Sequence, residues 1–159
     1  MSLDENYMRE ALKEAEISLE KGNIPIGCVI VRNNKIISRG HNQIYTLKDR
    51  LAHAELLALK KVQKELYENK REATIYTTYE PCPMCLGAIM LSRIKRVVYG
   101  VDLDNSGAIN LLENFPLLFQ RDKWKLECTQ GILAEECKNV FMKSWFAESM
   151  AKKGLLKQL

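Results

Sequence analysis

The chain has 159 residues, 47% hydrophobic and 28% charged. That composition predicts one soluble domain over residues 1–159, with core enough to fold without disulfides, and excludes disordered, collagen-like and disulfide-dense scaffolds. The net charge of +4, from 24 basic and 20 acidic residues, does not by itself mark a nucleic-acid binder, which needs clustered charge.

Residues 4–21 predict an amphipathic helix, with Met8, Ala11, Leu12, Ala15 and Leu19 on one face, Asp4 as cap and Gly22 as terminator. Two short β-branched runs follow, at 26–32 and 35–40, joined by Asn33-Asn34. Asparagine tolerates positive φ, so the pair predicts a tight hairpin. Residues 43–51 read as a loop and 53–66 as a helix. Residues 73–79 (Ala-Thr-Ile-Tyr-Thr-Thr-Tyr) are a strong strand signal. A helix opened by Pro81 and Pro83 then runs through Ser92, and a strand covers 94–100. Residues 101–122 read as a loop with short helical pieces broken by Pro116, residues 124–128 as a last strand and 133–152 as one long helix. This order predicts an α/β three-layer αβα domain around a mixed sheet.

No apolar run approaches the ~20 residues that span a bilayer. The N-terminus lacks the basic and apolar regions of a signal peptide. With an odd count of five cysteines, the expected setting is a reducing cytoplasm, where close cysteine pairs more often bind metal or do chemistry.

Two segments stand out as chemistry. His53-Ala54-Glu55 opens one predicted helix, and Pro81-Cys82-Pro83-Met84-Cys85 opens the next, 25 residues after Glu55. Cys82 and Cys85 are three apart, so a helix sets them on one face. In the first turn, amide N–H groups and the helix dipole favour thiolate. His53, Cys82 and Cys85 make three zinc ligands, one short of a closed structural tetrahedron and the number found in catalytic sites. Glu55 is the candidate proton carrier. Two other readings compete: a redox C-x-x-C pair, and a core turn with two buried thiols.

The pattern H-x-E with P-C-x-x-C marks the zinc-dependent nucleobase deaminases. The chain resembles the cytidine/deoxycytidylate deaminase-like superfamily from Pro25-Ile26-Gly27 to about Phe146. Ser92-Arg93-Ile94, Val97-Val98-Tyr99-Gly100 and the run from Gly131 to Cys137 are most similar to the bacterial tRNA-specific adenosine deaminase family. Pro81 to Ala88 also resembles guanine deaminases, and Gly40-His41-Asn42 resembles cytosine deaminases. The resemblance implies a five-stranded sheet, a zinc cofactor and a homodimer. It also implies a nucleobase-containing substrate, in a tRNA anticodon loop or as a free base or nucleoside. It assigns base contacts to Asn42, the Ala54 amide and the Glu80 carbonyl.

The chain departs from the tRNA enzymes at Asp49-Arg50-Leu51, where they carry Asp-Pro-Thr, and at Leu117–Arg121, where they carry an Asn-His segment. Their C-terminal arginine cluster gives way to a stretch whose basic residues are Lys152, Lys153 and Lys157. For Asn42 the competing reading is a turn residue ending a strand. Trp145 and Phe146 either cover the pocket mouth or pack the last helix onto the sheet. His41 reads as a strand-end surface residue, Cys28, Cys128 and Cys137 as structural, and Arg93, Lys95 and Arg96 as a phosphate contact or a solvated helix end.

Overall fold

The computed structural model describes residues 2–120 and 125–157. Helix α1 (Leu3–Glu20) leads into a hairpin of β1 (Gly27–Arg32) and β2 (Lys35–His41). Asn33 and Asn34 turn it at φ 50° and 58°, so the sequence placed this turn correctly. After a helical turn α2 (Ile44–Leu47) within the expected loop come α3 (Ala54–Lys61), α4 (Gln63–Glu68) and β3 (Thr74–Tyr79). Then follow α5 (Pro83–Leu91), β4 (Arg96–Val101), a 3₁₀ segment at Ile109–Asn114 and α6 (Leu117–Gln120). Strand β5 (Glu127–Gln130) and helices α7 (Ala134–Met142) and α8 (Trp145–Lys152) complete the chain.

The five strands lie in the order β2-β1-β3-β4-β5. Strand β1 is antiparallel to both β2 and β3, while β3, β4 and β5 run parallel. Successive side chains of a strand point to opposite faces, and the two faces fill differently. Cys28, Ile30, Ile75 and Val97 pack against Ala54, Ala58, Leu59 and Ile89 of α3 and α5. Val29, Val31, Tyr76 and Val98 pack against Met8, Ala11, Leu12 and Ala15 of α1 and Cys137 and Val140 of α7. This is the expected αβα arrangement with a mixed sheet.

Glycine sets how closely the layers approach. A Cβ at Gly27 would collide with the Ala11 carbonyl of α1, and one at Gly40 with the Ala54 carbonyl of α3. The backbones of β1 and β2 therefore touch the helices directly, and the second contact fixes the start of α3, where His53 and Glu55 lie.

Four local expectations need correction. The cap of α1 is Ser2, whose hydroxyl accepts from the Glu5 N–H while the Glu5 carboxylate accepts from the Ser2 N–H. Asp4 lies within the first turn, and its carboxylate pairs with Arg96 of β4. The helix expected over 53–66 breaks at Val62. There the Leu59 carbonyl accepts both the Val62 N–H and the Gln63 side-chain amide, which tightens the last turn of α3. The helix expected over 133–152 breaks at Ser144, whose backbone is extended and whose Oγ accepts from the Ala147 N–H to cap α8. The last strand runs over Glu127–Gln130, paired with Arg96–Tyr99, rather than over 124–128; Trp124 lies outside the described residues. Cys28 and Cys137 are buried as expected, but Cys128 is exposed on β5.

Candidate active site

The metal-ligand candidates sit at two helix starts. His53 is the residue before α3, with extended backbone (φ −73°, ψ 149°) and a side chain that makes no capping bond, so the imidazole is free to face inward. Cys82 occupies the same place before α5, with Pro83 at the first helical position, where its missing N–H costs nothing. Cys85 follows one turn on and is fully buried.

The fold brings these three together. His53 Nδ1 lies 3.8 Å from Cys82 Sγ and 3.5 Å from Cys85 Sγ. All three ligand atoms lie within 4.8 Å of one another, and among the described residues the group stops at three. A tetrahedral zinc with bonds of about 2.0–2.3 Å sets its ligand atoms about 3.6 Å apart, so both the spacing and the N/S donor set fit that ion.

Their protonation balance follows from contact. The Cys82 thiol is pulled down to about 4, first because its thiolate accepts a hydrogen bond from Cys85 and then because it faces His53, with burial opposing. Cys85, donating to that thiolate and buried, is pushed up. His53 is raised by its bond to Cys82.

Glu55 stands two residues into α3 and is 3% exposed. Its Oε1 accepts the Thr77 hydroxyl of β3 at 3.2 Å, and its Oε2 lies 3.5 Å from the Cys85 sulfur. Burial raises its carboxyl above the ordinary range. A cavity of about 210 Å³ opens over it, walled by Asn42, His53, Glu55, Glu80 and Cys82 on the polar side. Drug-sized sites run to roughly 300–1,000 Å³, so this volume suits a single planar ring system.

Of the expected base contacts, Asn42 lines the cavity and is nearly fully buried. Its Oδ1 accepts from the Ile44 N–H, which is the turn role also expected for it, and this engagement leaves the Nδ2 donor for the cavity. Glu80 lines the wall too, but its side chain turns aside to accept from the Ile109 N–H and anchor the following loop. Ala54 opens α3 against Gly40 and does not line the cavity.

Sequence reasoning missed most of the apolar wall. Ile26, Ile44, Tyr79 and Phe141 contribute to it, and the loop after β4 adds the polar Asp104 and Ser106. Phe146 lines the cavity and packs edge-on to Phe141 of α7. His41 is bound by Glu14 at 3.0 Å, away from the metal group. Arg96 is taken up by Asp4 and Thr129, which excludes it as a free phosphate contact.

The family model for the cytidine and deoxycytidylate deaminase zinc-binding region matches residues 1–101, a span that holds His53, Glu55, Cys82 and Cys85. The chain belongs to the cytidine and deoxycytidylate deaminase family. It is 43% identical over 154 residues to a tRNA-specific adenosine deaminase of Bacillus subtilis, covering 96% of this chain and 94% of that one. A solved tRNA:A34 deaminase superposes with a TM-score of 0.71 at 29% identity, over 85% of this chain and 98% of that one. The guanine deaminase of Bacillus subtilis superposes with a TM-score of 0.58 at 34% identity, over 70% and 77% of the two chains. Among the described residues, His53, Cys82 and Cys85 are the group that could hold a metal ion, in keeping with the family's zinc-binding region.

Proposed function

We propose that residues 1–159 form a single zinc-dependent hydrolytic deaminase domain. It replaces the exocyclic amine of adenosine in tRNA by a carbonyl and releases ammonia. The observation that carries this reading is a buried carboxylate, Glu55, held beside the three-ligand group and facing a cavity of about 210 Å³. The tRNA-specific relatives, matched over nearly their whole length, support the choice of substrate.

Bound by His53, Cys82 and Cys85, zinc supplies a water whose pKa falls to about 7. The chain's own residues do the rest. Glu55 accepts a proton, delivers it to the ring nitrogen and then serves the departing ammonia, a positioned acid–base role typically worth about 10²–10⁴-fold. Thr77 holds the carboxylate from behind. Asn42 Nδ2 donates to an in-plane acceptor of the base. The Glu80 carbonyl accepts from the leaving amine. Phe141, Phe146 and Tyr79 exclude water from the ring faces.

The test measures ammonia release from tRNA, adenosine, adenine, guanine and cytosine, with inosine analysis of the tRNA. Inosine should appear at the expense of adenosine in tRNA, in protein holding about one zinc per chain. Glu55→Gln should keep the zinc and lose turnover; an active Glu55→Gln protein overturns the role of Glu55.

A second reading, deamination of a free base or nucleoside, draws on the small cavity and the guanine deaminase likeness; turnover of guanine without inosine in tRNA selects it. A non-catalytic zinc-stabilised binding protein would close the metal with a fourth protein ligand, and the described residues offer three. The enzyme would work in the cytoplasm, and no helix among the described residues is long and apolar enough to cross a membrane. A homodimer would form through the face of α5 and the 109–120 segment, where Leu91, Leu111 and Leu118 are exposed beside the buried Leu86 and Met90.

A further inference from the structure

Helix α2 begins beside the cavity without a cap of its own. Gln43, the residue before it, makes no side-chain bond to its first turn, and the first N–H groups of a helix have no partner within it. Two asparagines outside the helix take them. Asn42 Oδ1 accepts the Ile44 N–H at 3.1 Å. Asn23 Oδ1 accepts the Tyr45 N–H at 3.0 Å and the Thr46 N–H at 3.1 Å. Those two amides are the ones a capping side chain ordinarily takes. Here the cap comes from 22 positions before Tyr45.

Asn23 is fully buried. An amide side chain without water is costly unless it is bonded, and the rest of Asn23 is bonded too. Its Nδ2 donates to Thr46 Oγ1 at 3.2 Å, and its own N–H donates to the Ser18 carbonyl of α1 at 3.0 Å. Ser18, also fully buried, adds a second brace. Its hydroxyl lies 2.8 Å from the Asn42 carbonyl and 2.7 Å from the Ile24 carbonyl, with one proton shared between them. The Asn42 N–H donates to the Ile26 carbonyl at 3.0 Å. Ile24, Ile26, Asn42 and Ile44 all line the cavity, whereas Ser18 and Asn23 do not. The network therefore stands directly behind one wall.

It also decides which end of the Asn42 amide meets a base. With α2 held in place, the Ile44 N–H confronts that side chain. An amide turned over would set its NH₂ against the N–H, donor against donor. Oδ1 thus stays on the backbone, and the Nδ2 donor is the end left for a base.

We propose that Asn23 is a positioning residue for base recognition. By capping α2 from outside, it fixes the Asn42 amide with its donor toward the base, and Ser18 supports the same wall from α1. This rests on the reading of Asn42 as a base contact in a deaminase. Asn23 acts through Asn42, and the pair selects a base whose edge offers an acceptor there.

The experiment is a double-variant cycle on the zinc-loaded full chain, with a tRNA anticodon stem-loop and guanine as substrates. Asn42→Ala and Asn23→Leu should each raise KM about tenfold, since each leaves a bond unmade or misdirected. Zinc content should hold, and kcat should change by less than about threefold. Combined, the two should raise KM no further than Asn42→Ala alone, because residues acting in one network are not additive. Asn23→Asp keeps an acceptor for both N–H groups, with its second oxygen facing the Thr46 hydroxyl, and should stay within about threefold of the wild-type KM. Ser18→Ala deletes one hydroxyl and leaves α1 intact. Its smaller rise in KM should likewise vanish in the Asn42→Ala background, which keeps the test open if Asn23→Leu does not fold. A combined variant showing the product of the single effects, about a hundredfold, overturns the positioning role, since Asn23 then serves stability alone. So does an Asn23→Leu enzyme with wild-type KM. Wild-type protein that releases ammonia from neither substrate overturns the deaminase reading and the positioning role with it; turnover with additive effects overturns the positioning role alone.

Discussion

Thr77 Oγ1 donates to Glu55 Oε1 at 3.2 Å, linking the middle of the sheet to the carboxylate at the start of α3. The bond fixes one oxygen of Glu55 and so decides which oxygen faces the cavity. Thr77→Val keeps the shape and removes the donor. We expect kcat to fall about tenfold or more, because a displaced acid–base group loses part of its 10²–10⁴-fold effect. Zinc content should be unchanged, and Thr77→Ser should recover most of the rate. Steady-state kinetics with metal analysis checks this; a Thr77→Val enzyme with wild-type kcat shows that Glu55 needs no such support.

Gly40 couples the hairpin to the site in a different way. A Cβ there would strike the Ala54 carbonyl, so Gly40→Ala must push the first turn of α3 away from β2. Overpacking of this kind typically costs about 1–3 kcal/mol. The larger effect should be on the metal, since His53 moves with that turn. Zinc stoichiometry should drop well below one per chain under mild chelation that leaves the wild type loaded. Metal retention equal to wild type would mean that the hairpin yields instead of the helix.

The metal group was legible because its residue types are rare and their spacing narrow: His53 and Cys82 each open a helix, and strand-to-helix turns can be read from Pro81 and Pro83. The hairpin was legible through Asn33-Asn34, whose positive φ few other residues accept. Thr77 and Tyr79 were not, because a β-branched or aromatic residue in a strand looks the same whether it fills core or faces a cavity; only the register of β3 against β1 and β4 decides. The breaks at Val62 and Ser144 depend on side chains competing for nearby backbone groups, the Gln63 amide for one carbonyl and the Ser144 hydroxyl for one N–H. Helical periodicity runs on past such events. Asp4 was misread for a related reason: it occupies a plausible capping position, and nothing local reveals an arginine 92 residues away that claims it.

Tyr79 carries a prediction about the cavity wall. Its hydroxyl accepts from the buried Leu103 N–H at 2.9 Å and donates to Asp104 Oδ1 at 3.1 Å. This ties down the loop that brings Asp104 and Ser106 to the cavity. Tyr79→Phe leaves the Leu103 N–H unsatisfied, a loss of about 1–3 kcal/mol. Thermal unfolding should show a Tm lower by several degrees, and KM should rise more than kcat falls because the wall loosens while Glu55 and the metal group stay in place. An unchanged KM would detach the loop from substrate binding.

The Asp4–Arg96 pair predicts how stability varies with pH. Arg96 Nη1 and Nη2 donate to the two carboxylate oxygens at 2.9 and 2.7 Å, and the Tyr76 hydroxyl donates at 2.8 Å, clamping the start of α1 to β3 and β4. The Arg96 bonds hold the Asp4 carboxyl below its usual range, with burial opposing. A carboxyl whose folded pKa is depressed adds stability above its unfolded value, about 3.9, and loses it as pH falls through the folded value. Asp4→Asn should therefore cost about 1–2 kcal/mol at pH 7, since charge-assisted bonds at a half-buried site are worth roughly that. The gap between variant and wild type should hold down to about pH 4 and close below it. Denaturant titrations of both proteins across that range check this. A gap that persists undiminished at the lowest pH would mean that the carboxylate's charge is not what holds α1 to the sheet.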